Sequence, residues 1–173
     1  MRPKARRSIR LVQYDYRSAG CYFITVCLRE REHLLGDVIN GKVLLHAAGQ
    51  IVDSAILEMG RRNNHVGVDS FVVMPDHFHL LLSIESPNDG QPSGIKGAKP
   101  RGTVPRSIGA IVQNLKSLTS RRINRLHGVS GRRVWQRNYW ERVIRDEAER
   151  DQIREYIVTN PQQWEERFES TSP

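Results

Sequence analysis

The sequence predicts an α+β fold: a ferredoxin-like βαββαβ antiparallel sheet with helices on one face, an extra β-hairpin and a C-terminal helix that carries a tyrosine. Two observations predict it. Short segments rich in β-branched and aromatic residues are interspersed with longer segments whose apolar residues recur at helical spacing. Their order is strand, hairpin, helix, strand, strand, helix, strand, helix. Without the hairpin and the last helix, that order is βαββαβ.

The first half of the chain contains a strand, a hairpin and a helix. The segment CYFITVCLRERE, residues 21–32, has the β-branched and aromatic composition of a strand. Asn40 and Gly41 form an Asn-Gly pair between two apolar runs, which predicts a tight hairpin turn. The segment AAGQIVDSAILEMGRR, residues 47–62, follows with apolar residues at helical spacing.

Two further strands and a loop occupy the middle of the chain. VGVDSFVVM and HFHLLLSI are typical strands, joined at Pro75 and Asp76 because proline cannot donate to a strand ladder and suits a turn. Residues 85–106 are dense in Gly and Pro and predict a flexible insertion loop within one domain. We therefore expect a single domain over residues 1–173, with a basic N-terminal arm at 1–17.

The last third of the chain predicts helix, strand, helix. SIGAIVQNLKSLTSRRINRLHG has Ser107 as a possible N-cap, an apolar stripe, and Gly128 where the helix ends. RRVWQRNYWERVIR is an aromatic segment typical of a strand. A final helix is predicted from about Asp146 to Asn160, where Pro161 would stop it.

Composition indicates a soluble globular protein, with 38% hydrophobic and 27% charged residues. No apolar run approaches a membrane span, and no apolar segment of a secretory signal follows the basic N-terminus. A mitochondrial presequence is harder to exclude, because such peptides are also rich in arginine and poor in acids. Cys21 and Cys27 would lie about 20 Å apart in one strand, too far to form a disulfide. Unpaired cysteines of this kind favour a reducing cytoplasm.

Positive charge is concentrated in one part of the sequence. The net charge is +8, and no acidic residue occurs between Asp89 and Glu141, where eleven Lys and Arg residues fall. Charge segregated in this way favours a polyanionic partner, above all nucleic acid, over a surface that is merely basic and solvated. A nucleoid-associated location in the cytoplasm follows from that expectation.

Two histidines lie in the apolar run FVVMPDHFHLLLSI. In a strand, residues two apart share a face, so His77 and His79 can point at one ion while Phe78 faces the core. Imidazole pairs bind divalent metals, but two ligands do not make a site. For such a pair alone, two histidines with a purely structural role are the more common case.

The last helix adds polar residues at a useful spacing. Tyr156 and Asn160 are four apart and therefore lie one above the other on a helix face, while Ile153 and Ile157 form a neighbouring face that can pack on the sheet. A helix docked in this way could hold the Tyr156 hydroxyl and the Asn160 amide near the two imidazoles. Either residue alone is more often explained by packing or by a helix stop.

Three motifs together resemble a known family. VVMPDHFHLLL, VWQRNYWERVIRDE and EYIVTNP, in this order and spacing, resemble the REP-associated tyrosine transposases, which belong to the single-tyrosine HUH superfamily. SIRLVQYDYRSAGCYFITVCLREREHLLG and LKSLTSRRINRL are also similar to that family. The resemblance therefore covers nearly the whole chain and leaves out only the loop at 85–106.

The resemblance implies an active site. His77, His79 and Asn160 fall on the positions that bind Mg²⁺ or Mn²⁺, and Tyr156 falls on the nucleophile. Tyr139 is the second-choice nucleophile, because its segment resembles sheet and substrate-binding surface in the family. The chain departs from the usual MPNH motif at Asp76, which should keep the turn and adds a negative charge beside the metal.

The implied reaction is cleavage and strand transfer of single-stranded DNA, at hairpin-forming repeats, through a covalent 5′-phosphotyrosine. The implied partner is single-stranded or hairpin DNA, and a monomer is favoured over a dimer. Trp135, Tyr139 and Trp140 could stack on unpaired bases, although core packing is the more common role for Trp135.

Two alternatives stay open: a catalytically silent DNA-binding protein on the same fold, and a metal-dependent nuclease that uses water. The residues expected to contact DNA are Arg6, Arg7, Lys116, Arg121, Arg122, Arg125, Arg132, Arg133, Arg137 and Tyr139.

Overall fold

A computed structural model describes residues 19–30, 32–85 and 106–169. The arm predicted at 1–17 and residues 86–105 of the predicted loop lie outside the described residues. The order of elements matches the prediction from the sequence. In chain order the elements are β1 (Gly20–Cys27), β2 (Gly36–Ile39), β3 (Lys42–Leu45), α1 (Ala47–Arg62), β4 (Val66–Val73), β5 (His77–Ile84), α2 (Ile108–Leu126), β6 (Trp140–Ile144) and α3 (Glu147–Glu169).

The central sheet has the strand order β4-β5-β1-β6, and every neighbouring pair is antiparallel. This is the order expected of a ferredoxin-like βαββαβ arrangement, so the predicted fold class is confirmed. Strands β2 and β3 form a separate two-stranded sheet. Their turn consists of Asn40 and Gly41, with φ of 51° and 68°, the left-handed backbone that an Asn-Gly hairpin turn requires.

The two faces of the sheet are covered by different helices. Phe78, Leu80 and their neighbours in β1 belong to the larger core, which α1 and α2 complete from one side. The opposite face has a smaller core in which Phe23 and Leu81 pack against Ile157 of α3. Because side chains alternate along a strand, residues of β5 with odd numbers face α3. His77 and His79 are among them.

Two strands are shorter than their sequence patterns predicted. β1 ends at Cys27 rather than extending to residue 32, and β6 begins only at Trp140. The segment before β6 bonds instead to α2 and to the end of β1. Trp135 forms an isolated bridge with Leu28, and its indole donates to the Thr119 hydroxyl, which holds the segment outside the sheet.

The prediction that Pro161 ends the last helix is wrong. α3 continues through Pro161 to Glu169. Proline inside a helix removes one backbone hydrogen bond and costs about 3 kcal/mol. Contacts made by the residues after it offset that cost, since the Glu165 carboxylate accepts hydrogen bonds from the backbone N–H groups of Asn40 and Gly41 in the hairpin turn.

Across residues 19–30, 32–85 and 106–169, no helix combines the length and the apolar character that crossing a membrane would need.

Candidate active site on the α3 face of the sheet

Two imidazoles meet at the start of β5. His77 and His79 are 8% and 5% exposed, and their Nε2 atoms lie 3.1 Å apart. They point to the same face because they are two residues apart in a strand. The turn at Pro75 and Asp76 begins β5 at His77, which sets both histidines at one end of the sheet.

The other ring nitrogen of each histidine has its own partner. Nδ1 of His77 lies 2.5 Å from Oδ1 of Asp76, and Nδ1 of His79 lies 2.8 Å from Oγ1 of Thr25. The Asp76 carboxylate can only accept, so Nδ1 of His77 carries the proton and its Nε2 keeps a lone pair. The Thr25 hydroxyl can accept from His79 in the same way. Partners of this kind fix the tautomer and orientation of histidines that bind metals.

The environment keeps His79 neutral. Burial lowers the pKa of His79 to about 3, with neighbouring His77 acting in the same direction and Asp76 acting against it. At neutral pH the ring is therefore uncharged, and its Nε2 lone pair is available in the tautomer whose Nδ1–H donates to Thr25. When both rings carry their proton on Nδ1, the two Nε2 lone pairs face each other at 3.1 Å, an arrangement that suits a cation between them.

Helix α3 brings three polar or aromatic residues over the histidines. The Tyr156 hydroxyl oxygen lies 3.3 Å from Nε2 of His79, and the Trp164 ring lies 5.5 Å from the His77 ring. Asn160 is one helical turn after Tyr156 and one turn before Trp164, so it lies between them on the same face. Its side chain is buried, at 5% exposure.

These residues fit a divalent cation. Two nitrogens that each bind one metal at about 2.1 Å, at right angles, are roughly 3 Å apart, which matches the spacing of the two Nε2 atoms. Within the described part of the chain, no group of three or more His, Cys, Asp and Glu side chains is arranged to hold a metal. A third protein ligand would therefore have to be of another kind, and the Asn160 amide oxygen is the candidate on this face.

An ion-pair cluster fastens α3 to the sheet near the tyrosine. Asp69 lies at an irregularity in β4 between Val68 and Ser70, and its side chain is only 9% exposed. Its carboxylate accepts hydrogen bonds from the guanidinium groups of Arg150 and Arg154, the latter at 2.8 Å from both its Nε and its Nη2. The Arg154 hydrogen bond, joined by that of Arg150, lowers the pKa of Asp69. Tyr156 follows Arg154 by two residues, so this cluster holds the helix where the tyrosine projects.

Several known proteins are similar to the chain over most of its length. A Haemophilus influenzae protein of uncharacterised function is 37% identical over 165 residues, which cover 93% of this chain and 91% of that protein. A second Haemophilus influenzae protein, which carries the name REP-associated tyrosine transposase, is 27% identical over 85% of this chain and 73% of its own length. The REP-associated tyrosine transposase of Escherichia coli is 23% identical over 84% of this chain and 68% of its own length.

A solved structure agrees with these relatives. The REP-associated tyrosine transposase bound to a REP hairpin superposes with a TM-score of 0.58 at 21% identity, covering 90% of this chain and 74% of that one. The chain is similar to REP-associated tyrosine transposases in sequence and in fold. No family model matches the chain. The similarity to transposases indicates an enzyme of the transposase kind.

The two tyrosines predicted as candidate nucleophiles lie on different faces of the sheet. Tyr156 contacts His79, whereas Tyr139 is half-buried and packs against the larger core, on the side of α1 and α2. The geometry therefore groups Tyr156, and not Tyr139, with the imidazoles.

The predicted DNA-contacting cations of the transposase homologue fall into two groups. Lys116 donates to the backbone carbonyls of Gln136 and Arg137, and Arg122 pairs with Glu58 of α1. Arg132 pairs with glutamates that follow β1. These three are engaged within the protein, although acids near them in sequence are absent. Arg6 and Arg7 lie outside the described residues. The remaining cations are exposed and form no salt bridge with the described residues: Arg121, Arg125, Arg133 and Arg137.

Two residues of the site were not identified from the sequence. Thr25 has no motif of its own, and only the pairing of β1 with β5 brings it to His79. Trp164 continues the helical spacing of Tyr156 and Asn160, so that spacing could have indicated it. The prediction that the helix stopped at Pro161 excluded it.

Proposed function

We propose that this REP-associated transposase homologue cleaves and rejoins single-stranded DNA through a covalent 5′-phosphotyrosine on Tyr156. The observation that supports the proposal most strongly is the position of the Tyr156 hydroxyl oxygen, 3.3 Å from Nε2 of His79, which is itself 3.1 Å from Nε2 of His77. A phenol next to two imidazoles whose Nε2 atoms converge fits a nucleophile beside a cation site.

In this proposal His77, His79 and Asn160 hold Mg²⁺ or Mn²⁺. When bound, the cation polarises the scissile phosphate and neutralises the charge that develops on it. Asp76 and Thr25 keep the imidazole rings oriented through their Nδ1 contacts. One lone pair cannot both accept the Tyr156 proton and bind a cation, so a cation held by His79 would leave the Tyr156 hydroxyl without that acceptor.

Tyr156 carries the covalent step. Its phenolic oxygen attacks phosphorus, the bond between phosphorus and the 3′ oxygen breaks, and the 3′ oxygen leaves as a hydroxyl after taking a proton. The phenol loses its own proton in the same step. The new phosphotyrosine retains the energy of a phosphodiester, so a second 3′-hydroxyl can reverse the reaction and join strands.

The substrate proposed is hairpin-forming single-stranded DNA. The chain carries a net charge of +8, and a structurally similar transposase was solved bound to a REP hairpin. The exposed cations Arg121, Arg125, Arg133 and Arg137 are free to neutralise phosphates. Both histidines, Tyr156 and Asn160 come from one chain, which supports a monomer as the acting unit.

A covalent-adduct assay tests the proposal. The protein is incubated with a labelled single-stranded hairpin and Mg²⁺ or Mn²⁺, and protein-linked DNA is resolved on a denaturing gel. We expect an adduct with the unchanged protein and none with Tyr156→Phe, while Tyr139→Phe, the matched control, still forms it. Cleavage without any adduct would favour a nuclease that uses water. Hairpin binding without cleavage would favour a silent DNA-binding protein.

A further inference from the structure

Trp140 is an exposed aromatic side chain at the edge of the sheet. Among the large apolar side chains of the described residues that are exposed, it is the only aromatic one, with 39% of its surface accessible. It opens β6, which is the edge strand next to β1. An indole left this open at a sheet edge has a free face that a planar ligand can cover.

The strand register puts Trp140 on the same face as the candidate active site. Trp140 pairs with Thr25, and Thr25 pairs on its other side with His79. Residues paired across a sheet point to the same face. The three side chains therefore form a row on the α3 face, in which the Thr25 hydroxyl also bonds to His79.

Phe23 links Trp140 to the catalytic residues by ring contacts. The centre of its ring lies 5.6 Å from that of Trp140, 5.9 Å from that of Tyr156 and 5.3 Å from that of His79. The contact with Trp140 is edge-on, at 75° between the ring planes. Phe23 thus occupies the space between the indole and the tyrosine and limits the orientations that the indole can adopt.

The other two tryptophans have structural surroundings. Trp135 is 6% exposed and donates its indole N–H to the Thr119 hydroxyl. Trp164 is half-buried between the rings of His33 and His77. Trp140 differs from both, because its indole is open to solvent while its backbone is fixed in β6 beside the site.

We propose that Trp140 stacks on an unpaired DNA base adjacent to the phosphate that Tyr156 attacks. The inference rests on the proposed function, since it takes single-stranded DNA as the ligand. Stacking on an indole suits any base, so Trp140 would position the strand without reading its sequence. By holding a neighbouring nucleotide, it would set the scissile phosphate over His79 and Tyr156.

Binding measurements with abasic oligonucleotides test this inference. The dissociation constant is measured at equilibrium, without divalent metal, for a hairpin with single-stranded flanks and for versions that lack one base at successive flanking positions. We expect Trp140→Leu to weaken binding about tenfold, within the range for loss of one stacked base, and Trp140→Phe to weaken it much less. One abasic position should weaken the unchanged protein by a similar factor and leave Trp140→Leu unaffected.

The following outcomes decide the inference. Unchanged binding by Trp140→Leu, or additive losses at every abasic position, would overturn it. An equal melting temperature for Trp140→Leu and the unchanged protein would show that the fold is intact, so that a loss of binding can be assigned to the missing indole. The paired effect means that one abasic position weakens binding by the unchanged protein but not by Trp140→Leu. If this effect is present but the unchanged protein forms no covalent adduct, the proposed function fails and the stacking site stands. If the adduct forms and the paired effect is absent, the stacking inference alone fails.

Discussion

The hydroxyl of Tyr156 lies 3.3 Å from Nε2 of His79, although 77 positions separate the two residues in the chain. The contact depends on two independent arrangements. The β1–β5 pairing sets the imidazole against Thr25. Helix α3 docks on the same face through Ile157 and through the arginines that donate hydrogen bonds to Asp69.

The first prediction concerns the cation. Two nitrogen donors suit a transition-metal ion better than Mg²⁺, which prefers an all-oxygen shell, so we expect Mn²⁺ to bind more tightly. His77→Ala should remove Mn²⁺ binding in calorimetry and leave DNA affinity within about twofold, because the exposed cations supply that affinity. A collapse of DNA binding in His77→Ala would instead indicate that the histidine is structural.

The second prediction concerns Asp76. Its carboxylate accepts a hydrogen bond from Nδ1 of His77 at 2.5 Å. This hydrogen bond orients the His77 ring so that its Nε2 faces His79. Loss of such a partner typically lowers metal affinity about 10- to 100-fold. Asp76→Ala should show that loss in Mn²⁺ titrations, whereas Asp76→Asn, which keeps an acceptor oxygen, should show a smaller one. Equal Mn²⁺ affinity in Asp76→Ala would argue against the orienting role.

The third prediction concerns the attachment of α3. Asp69→Asn keeps the shape of the side chain but removes the charge that Arg150 and Arg154 contact, so the free energy of unfolding at pH 7 should fall by about 1–3 kcal/mol. The matched control is Asp151→Asn. Asp151 pairs with Arg154 at 64% exposure, so the control should lose less than about 0.5 kcal/mol.

The same carboxylate predicts a pH dependence. Its hydrogen bonds to Arg154 and Arg150 lower the pKa of Asp69 below its ordinary value of 3.8. The stabilisation from its charge is therefore complete above that value and is lost as the pH falls through the lower pKa of the folded protein. Denaturant unfolding should show the difference between the unchanged protein and Asp69→Asn shrinking below about pH 4. A difference that stays constant down to pH 2.5 would contradict this.

The fourth prediction separates the two groups of cations. Arg133 and Arg137 are exposed, whereas Arg122 is paired with Glu58. Arg133→Ala and Arg137→Ala should each weaken hairpin binding and reduce the slope of log affinity against log salt by about 0.7 per lost phosphate contact with single-stranded DNA. Arg122→Ala, the control, should leave the slope unchanged. Equal slopes in all three variants would place the DNA elsewhere on the surface.

Much of the fold followed from local chemistry. The Asn40-Gly41 turn requires left-handed backbone, which asparagine and glycine adopt most readily, and Ser107 caps α2 by accepting from the backbone N–H of Ala110. His77 and His79 are two residues apart in a strand, which places both rings on one face. Each of these features depends on residues close in sequence, and each was confirmed.

Features that depend on distant residues were not foreseen. The continuation of α3 past Pro161 rests on contacts of Glu165 with the hairpin, about 125 positions away. Thr25 reaches His79 through a strand pairing, and Asp69 reaches Arg154 from a bulge. A single sequence indicates the propensity of each segment, but it does not indicate which partner will offset an unfavourable residue.

The site of covalent attachment tests the central claim most directly. The adduct is treated with nuclease and trypsin, and the peptide that carries residual nucleotide is identified by mass spectrometry. Cleavage after arginine separates the two tyrosines, since residues 155–167 contain Tyr156 and residues 138–142 contain Tyr139. The account predicts a nucleotide on Tyr156 within 155–167. A nucleotide on 138–142 would contradict it and move the nucleophile to Tyr139.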